Sequence, residues 1–146
     1  MVAGSVRPSP WRRPMPVMTA DPVRQCSMVL TRVYAEVIGP VREIVRIHLR
    51  VWRKSDLSFT AELGVTELLT NVHKHTRGGC EVLLRETPDG ITIAVTDFDD
   101  TLPAVKEPAL DEEGGRGLFL LSLLTDDLEI EPLLGGKRVW FRLREG

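Results

Sequence analysis

From Cys80 to Asp97 the hydrophobic pattern has a period of two, broken once: "CEVLLRE" and "ITIAVTD" flank "TPDG". Alternation sends successive side chains to opposite faces, and Asp89-Gly90 is a tight-turn signal, so the stretch is predicted to be a β-hairpin. Upstream the period is helical. "VIGPVREIVRIHLRVW" puts Val37, Val41, Ile44, Val45, Ile47, Leu49, Val51 and Trp52 on one broad side, with Arg42, Glu43, Arg46, Arg50 and Arg53 opposite. Within it "VRIHLRV" also alternates like a strand, but the length of the segment and Pro40 near its first turn favour a helix. His48 falls in the apolar stripe and is expected to be a core or boundary histidine.

A second helix is predicted to start near Asp56 or Ser58, either able to cap it, and to run to about His75. Its apolar face is Ala61, Val65, Leu68, Leu69 and Val72. A short edge strand is expected in "CSMVLTRV" (26–33), a polar loop from Phe98 to about Gly115, a third helix in "GLFLLSLLTDD", and a last strand in "GKRVWFRLRE". "GGKR" at 135–138 reads as a hairpin turn with a basic edge. The order strand, helix, helix, hairpin, loop, helix, strand implies an α+β two-layer sandwich, a mainly antiparallel mixed sheet with three helices on one face.

The bulk properties narrow the function. A chain of 146 residues, 42% hydrophobic and 27% charged, is expected to form one globular domain. A net charge of −2 gives no global reason to bind nucleic acid or an anionic membrane. Cys26 and Cys80 read as reduced thiols. No apolar run approaches the roughly 20 residues that span a bilayer, and no secretory signal is evident, so a cytoplasmic location is expected. Residues 1–25 hold five of the ten prolines, four arginines and one acid, Asp21. They read as a flexible basic tail, or as a start misplaced upstream of Met15 or Met18, with 26–146 as the folded domain.

Three stretches carry candidate chemistry. In "ELLTNVHKHT" Glu67 and Asn71 are four residues apart and share a helix face, with Lys74 and His75 one turn on. An amide oxygen there can ligate a hard cation such as Mg²⁺ while the carboxylate orients or deprotonates a hydroxyl; the same spacing also occurs on merely solvated faces. Zinc binding by His73 and His75 fails on geometry, because residues two apart point about 200° apart around a helix. Asp97 ends an apolar strand and, if buried, needs a donor such as an exocyclic amine; it could also simply open a turn. "EEGGRGLFLLSLL" places three glycines around Arg116 before an apolar helix, a backbone able to cradle phosphate oxygens. It is neither of the two common glycine-rich nucleotide motifs.

Taken together, "ELLTN", "VTD", a loop with Pro103, "GGRGL" and "GKRVWFRL" resemble, in order and spacing, the GHKL (Bergerat-fold) ATPases. The likeness is greatest to the anti-sigma-factor serine/threonine kinases and covers roughly residues 27–144. The resemblance implies that Glu67 is the catalytic base, that Asn71 is the Mg²⁺ ligand, and that Asp97 reads the adenine amine of ATP. It further implies a phosphate-binding turn at Gly115, Arg116 and Gly117, a nucleotide-binding set completed by Lys74, His75 and Leu118, and a lid over 99–113. The implied partners are a sigma factor and an anti-sigma-factor antagonist, with a possible homodimer. One departure stands out: "DFDDTLP" puts Asp99 and Asp100 beside the expected triphosphate, which they would repel unless a cation intervenes or they face solvent. A non-catalytic interaction module with an eroded nucleotide site is the alternative, and the detached ATP-binding half of a histidine kinase a third.

Overall fold

The computed structural model describes residues 23–98 and 113–146. The tail up to residue 22, Asp99, Asp100 and most of the expected lid lie outside them. The chain runs β1 (Gln25–Leu30), α1 (Ala35–Val51), a 3₁₀ turn (Ser55–Leu57), α2 (Ser58–His75), β2 (Cys80–Thr87), β3 (Gly90–Asp97), α3 (Glu113–Leu124), β4 (Asp127–Leu133) and β5 (Gly136–Arg144). The five strands form one sheet in the order β1-β2-β3-β5-β4, and each neighbouring pair is antiparallel. The mainly antiparallel sheet expected from the sequence is present, antiparallel at every described pairing. Among the described residues no helix is long and apolar enough to cross a membrane.

The predicted hairpin is present, with Thr87 opposite Gly90. Its register aligns three inward rows across the sheet: Cys26, Leu84, Ile93, Phe141 and Leu128; Met28, Val82, Val95, Val139 and Ile130; and Leu30, Cys80, Asp97, Lys137 and Pro132. The first two rows are apolar and meet the stripe of α2, in which Ala61, Val65, Leu68, Leu69 and Val72 are all buried as expected. Contact is close enough that a Cβ on Gly64 would overlap the Phe141 ring. The third row changes character where it reaches Asp97 and Lys137. Cys80, beside them, is fully enclosed, and burial pushes its thiol up to about 12, so it stays protonated.

Several expectations needed correction. β4 lay inside no predicted strand; "DLEIEPL" alternates acids with apolar residues and contains Pro132, which an edge strand tolerates. Helix α1 starts at Ala35, so Pro40 sits inside it and not in its first turn. Its buried line is Val41, Val45 and Leu49, while Ile47 and Val51 are exposed, a narrower stripe than predicted. His48 is half-buried as expected, its Nδ1 donating to the Ile44 carbonyl at 2.8 Å and its ring edge-on to Trp52. Neither Asp56 nor Ser58 caps α2, because the 3₁₀ turn leads straight into it.

Ser58 instead donates to Glu62 at 2.7 Å. Glu62 is buried and also accepts from Arg46, tying α2 to α1. The Arg46 hydrogen bond leads the effects that hold its carboxyl below the ordinary value of 4.5, against the opposing effect of burial. A depressed carboxyl stabilises the fold above its unfolded pKa, and that contribution disappears as pH falls through its folded one. Glu62→Gln is therefore expected to lower the urea midpoint at pH 7, with the gap to wild type closing as the medium is acidified below 4.5. Gly64→Val should destabilise the protein by about 3 kcal/mol, measured by the same denaturation, because the ring behind it cannot withdraw.

Candidate nucleotide site

Helix α2 carries the polar end of the site on the turns just past its buried stripe. Asn71 and His75, one turn apart, line a recess whose walls are Leu68, Val72, Val95 and Val139 and whose end is closed by Asp97 and Lys137. Its cavity volume is about 20 Å³, room for about one water molecule. Asp97 reaches this position because β3 carries it inward at the last place on the third row. There it is 2% exposed and forms an ion pair with Lys137, itself 5% exposed, at 3.0 Å.

The pair explains how a carboxylate survives among valines: a buried charge needs a partner, and β5 delivers one directly across the ladder. Lys137 was expected on a basic hairpin edge; it is instead a buried wall of the recess. The turn before it is present, between Leu133 and Gly136. A Cβ on Gly136 would overlap the Asp97 carbonyl oxygen, so β5 is pressed against β3 at this point.

The catalytic candidate lies one turn before Asn71. Glu67 is half-buried, and α3 packs so closely on it that a Cβ on Gly117 would overlap its carboxylate. The glycine-rich motif therefore meets Glu67 through the absence of a side chain. Gly115, Arg116 and Gly117 lie within α3, not in a turn before it, and Arg116 is exposed. Leu118 is 2% exposed and packs in the core, which leaves only its backbone to a ligand.

Lys74 stands apart from the recess. It lines a separate cavity with His73, whose Nδ1 donates to the Val33 carbonyl at 2.9 Å. The two histidines at 73 and 75 thus serve opposite sides of α2, as their spacing predicts. Lys54, Glu62, Thr92 and Lys137 are buried polar residues that sequence reasoning passed over. The inward alternation of "GKRVWFRL", shared with Val139, Phe141 and Leu143, marks Lys137 as inward; nothing comparable marks Glu62.

A helix bearing a carboxylate and an amide, an apolar recess ending in a buried aspartate, and a glycine-rich helix closing on the carboxylate lie together here, around a recess that would have to widen to admit a base. The sequence profile of the histidine kinase-like ATPase domain matches residues 23–143, the whole of the sheet and its helices. The chain belongs to that family. A search of curated proteins found no match.

Membership of the histidine kinase-like ATPase family implies nucleotide binding. The donor set suits it: Asp97 can exchange a bond to Lys137 for one from an exocyclic amine, and Val72, Val95 and Val139 offer apolar contact to a base. Among the described residues no group of three His, Cys, Asp or Glu side chains could hold a metal ion. A magnesium ion would accordingly depend on the Asn71 amide oxygen together with phosphate oxygens, and would neutralise phosphate charge.

Lys137→Met is expected to lower stability by about 3 kcal/mol in chemical denaturation, because it strands the Asp97 carboxylate in the recess. Converting both residues, Asp97→Asn with Lys137→Met, should recover much of that loss.

Proposed function

We propose that this chain is an ATP-binding anti-sigma factor and serine/threonine protein kinase, which phosphorylates an anti-sigma-factor antagonist and sequesters a sigma factor. The observation that carries the catalytic part is Glu67, held one turn from Asn71 and covered by Gly117. A module that only bound nucleotide would have no use for a carboxylate at that point. In the reaction, Glu67 accepts the proton of a serine or threonine hydroxyl as that oxygen attacks the γ-phosphorus; the bond to the β-phosphate oxygen breaks and ADP leaves. Asn71 would hold Mg²⁺, Asp97 would accept from the adenine amine, and Arg116 would meet the phosphates. Positioning and charge neutralisation supply most of the acceleration in phosphoryl transfer.

The Asp97–Lys137 pair favours a second reading, in which the fold serves as a non-catalytic interaction module. Lys137 already satisfies the carboxylate that a base would need.

Calorimetric titration of ATP with and without Mg²⁺ separates the two. The kinase reading expects magnesium-dependent binding that Asn71→Ala weakens. It also expects Glu67→Ala to reduce phosphoryl transfer to the antagonist by about 100-fold or more while leaving ATP affinity within about twofold. Absence of binding at millimolar ATP, with partner binding intact, would establish the module instead.

A further inference from the structure

On the side of α2 away from the recess lies a second cavity of about 650 Å³, between the β1–α1 loop and the α2–β2 loop. Arg32, His73, Lys74 and Arg77 line it, and among the described residues no carboxylate does. We infer that it is a separate binding site for a phosphate monoester. Of the residues expected to bind nucleotide it shares only Lys74, and it uses none of Asn71, His75, Asp97 or Lys137.

The charge arrangement is the first argument. Among the described residues none of Arg32, Lys74 and Arg77 takes part in an ion pair. Three cations with no ion-pair partner among the described residues therefore line one concavity of a chain whose net charge is −2. Basic residues in the last turn of a helix offset its macrodipole, which accounts for His73 and Lys74. It does not account for Arg32, which comes from the loop after β1.

Preorganisation is the second. The Arg32 guanidinium lies over the Tyr34 ring, 5.0 Å from its centroid, which limits where its fork can point. His73 is anchored by its Nδ1 to the Val33 carbonyl, which fixes its ring at the wall of the cavity. The Thr76 N–H and hydroxyl both donate to the Val72 carbonyl at 3.0 and 2.8 Å, so one of the carbonyls at this helix end is already satisfied. Two guanidinium forks and an ammonium suit the three oxygens of a phosphate dianion, whereas a single carboxylate would occupy one fork. The volume falls within the range of small-ligand sites.

The test is amide NMR of the ¹⁵N-labelled full chain at constant ionic strength, titrated in parallel with O-phosphoserine, glycerol 3-phosphate, glutamate and sodium chloride. Saturable shifts at Arg32, Tyr34, Lys74, Arg77 and Gly78 are expected with both phosphates, with a dissociation constant on the order of 1 mM or tighter. Glutamate should bind at least about tenfold more weakly. The double substitution Arg32→Ala, Arg77→Ala, both at exposed positions, should weaken phosphate binding by about tenfold and leave the spectrum of the sheet unchanged. A phosphoserine peptide binding more tightly than free phosphoserine would identify a modified protein as the source; equal affinity for glycerol 3-phosphate would identify a small metabolite. Shifts that chloride reproduces, or that appear at His75, Val95 and Asp97 instead, would overturn the proposal. ATP titrated into the same sample reads the nucleotide recess, so the two sites fail or succeed separately.

Discussion

Helix α2 rests on the sheet with no room for a side chain between Gly64 and Phe141. That single contact sets the distance between the helix and the middle of the sheet, and the rest of the molecule is arranged from it. Seven residues further along α2, Asn71 overhangs the third inward row at the height where Asp97 and Lys137 end it. A helix held farther away would leave the recess too open to exclude water from the aspartate. The polar functions of α2 therefore depend on an apolar contact two turns away.

Electrostatics divide the two sides of this helix. On one side the charges are buried and matched, Asp97 with Lys137, where salt screens them little. On the other they are exposed and unmatched, gathered around a cavity that water and salt enter freely. The first arrangement suits discrimination of a ligand's hydrogen-bonding edge; the second suits attraction of charge at a distance. His73 and His75, two residues apart, belong to different environments for no reason beyond the roughly 200° between them around the helix axis.

Much of this was legible before any coordinates. The period-two run from Cys80 to Asp97 and the stripe on α2 are each produced by one local rule, and both appear as predicted. Glu67, Asn71 and Asp97 also stand where spacing and order placed them, with Asn71 and Asp97 in one recess. What escaped had a non-local cause. β4 is a strand because β5 offers it an edge, although Glu129, Glu131 and Pro132 argue locally against one. Gly115, Arg116 and Gly117 look like a loop by composition, yet they lie inside a helix that packs closely on Glu67. Lys137 reads as a surface residue until the ladder sets it opposite Asp97, and Glu62 until Arg46 of α1 closes over it.

The adjacent glycines at 135 and 136 illustrate how differently two identical letters can be constrained. Gly135 has nothing within 4 Å of where a Cβ would be, and owes its identity to a left-handed φ of 79°. Gly136 is held by the reverse condition, an ordinary backbone angle with the Asp97 carbonyl in the way. Asparagine, which tolerates the left-handed region, could replace the first at small cost. No side chain could replace the second without prising β5 from β3. A loop graft between β4 and β5 thus has freedom up to residue 135 and none at 136, and the boundary between open turn and buried recess passes between two neighbouring glycines.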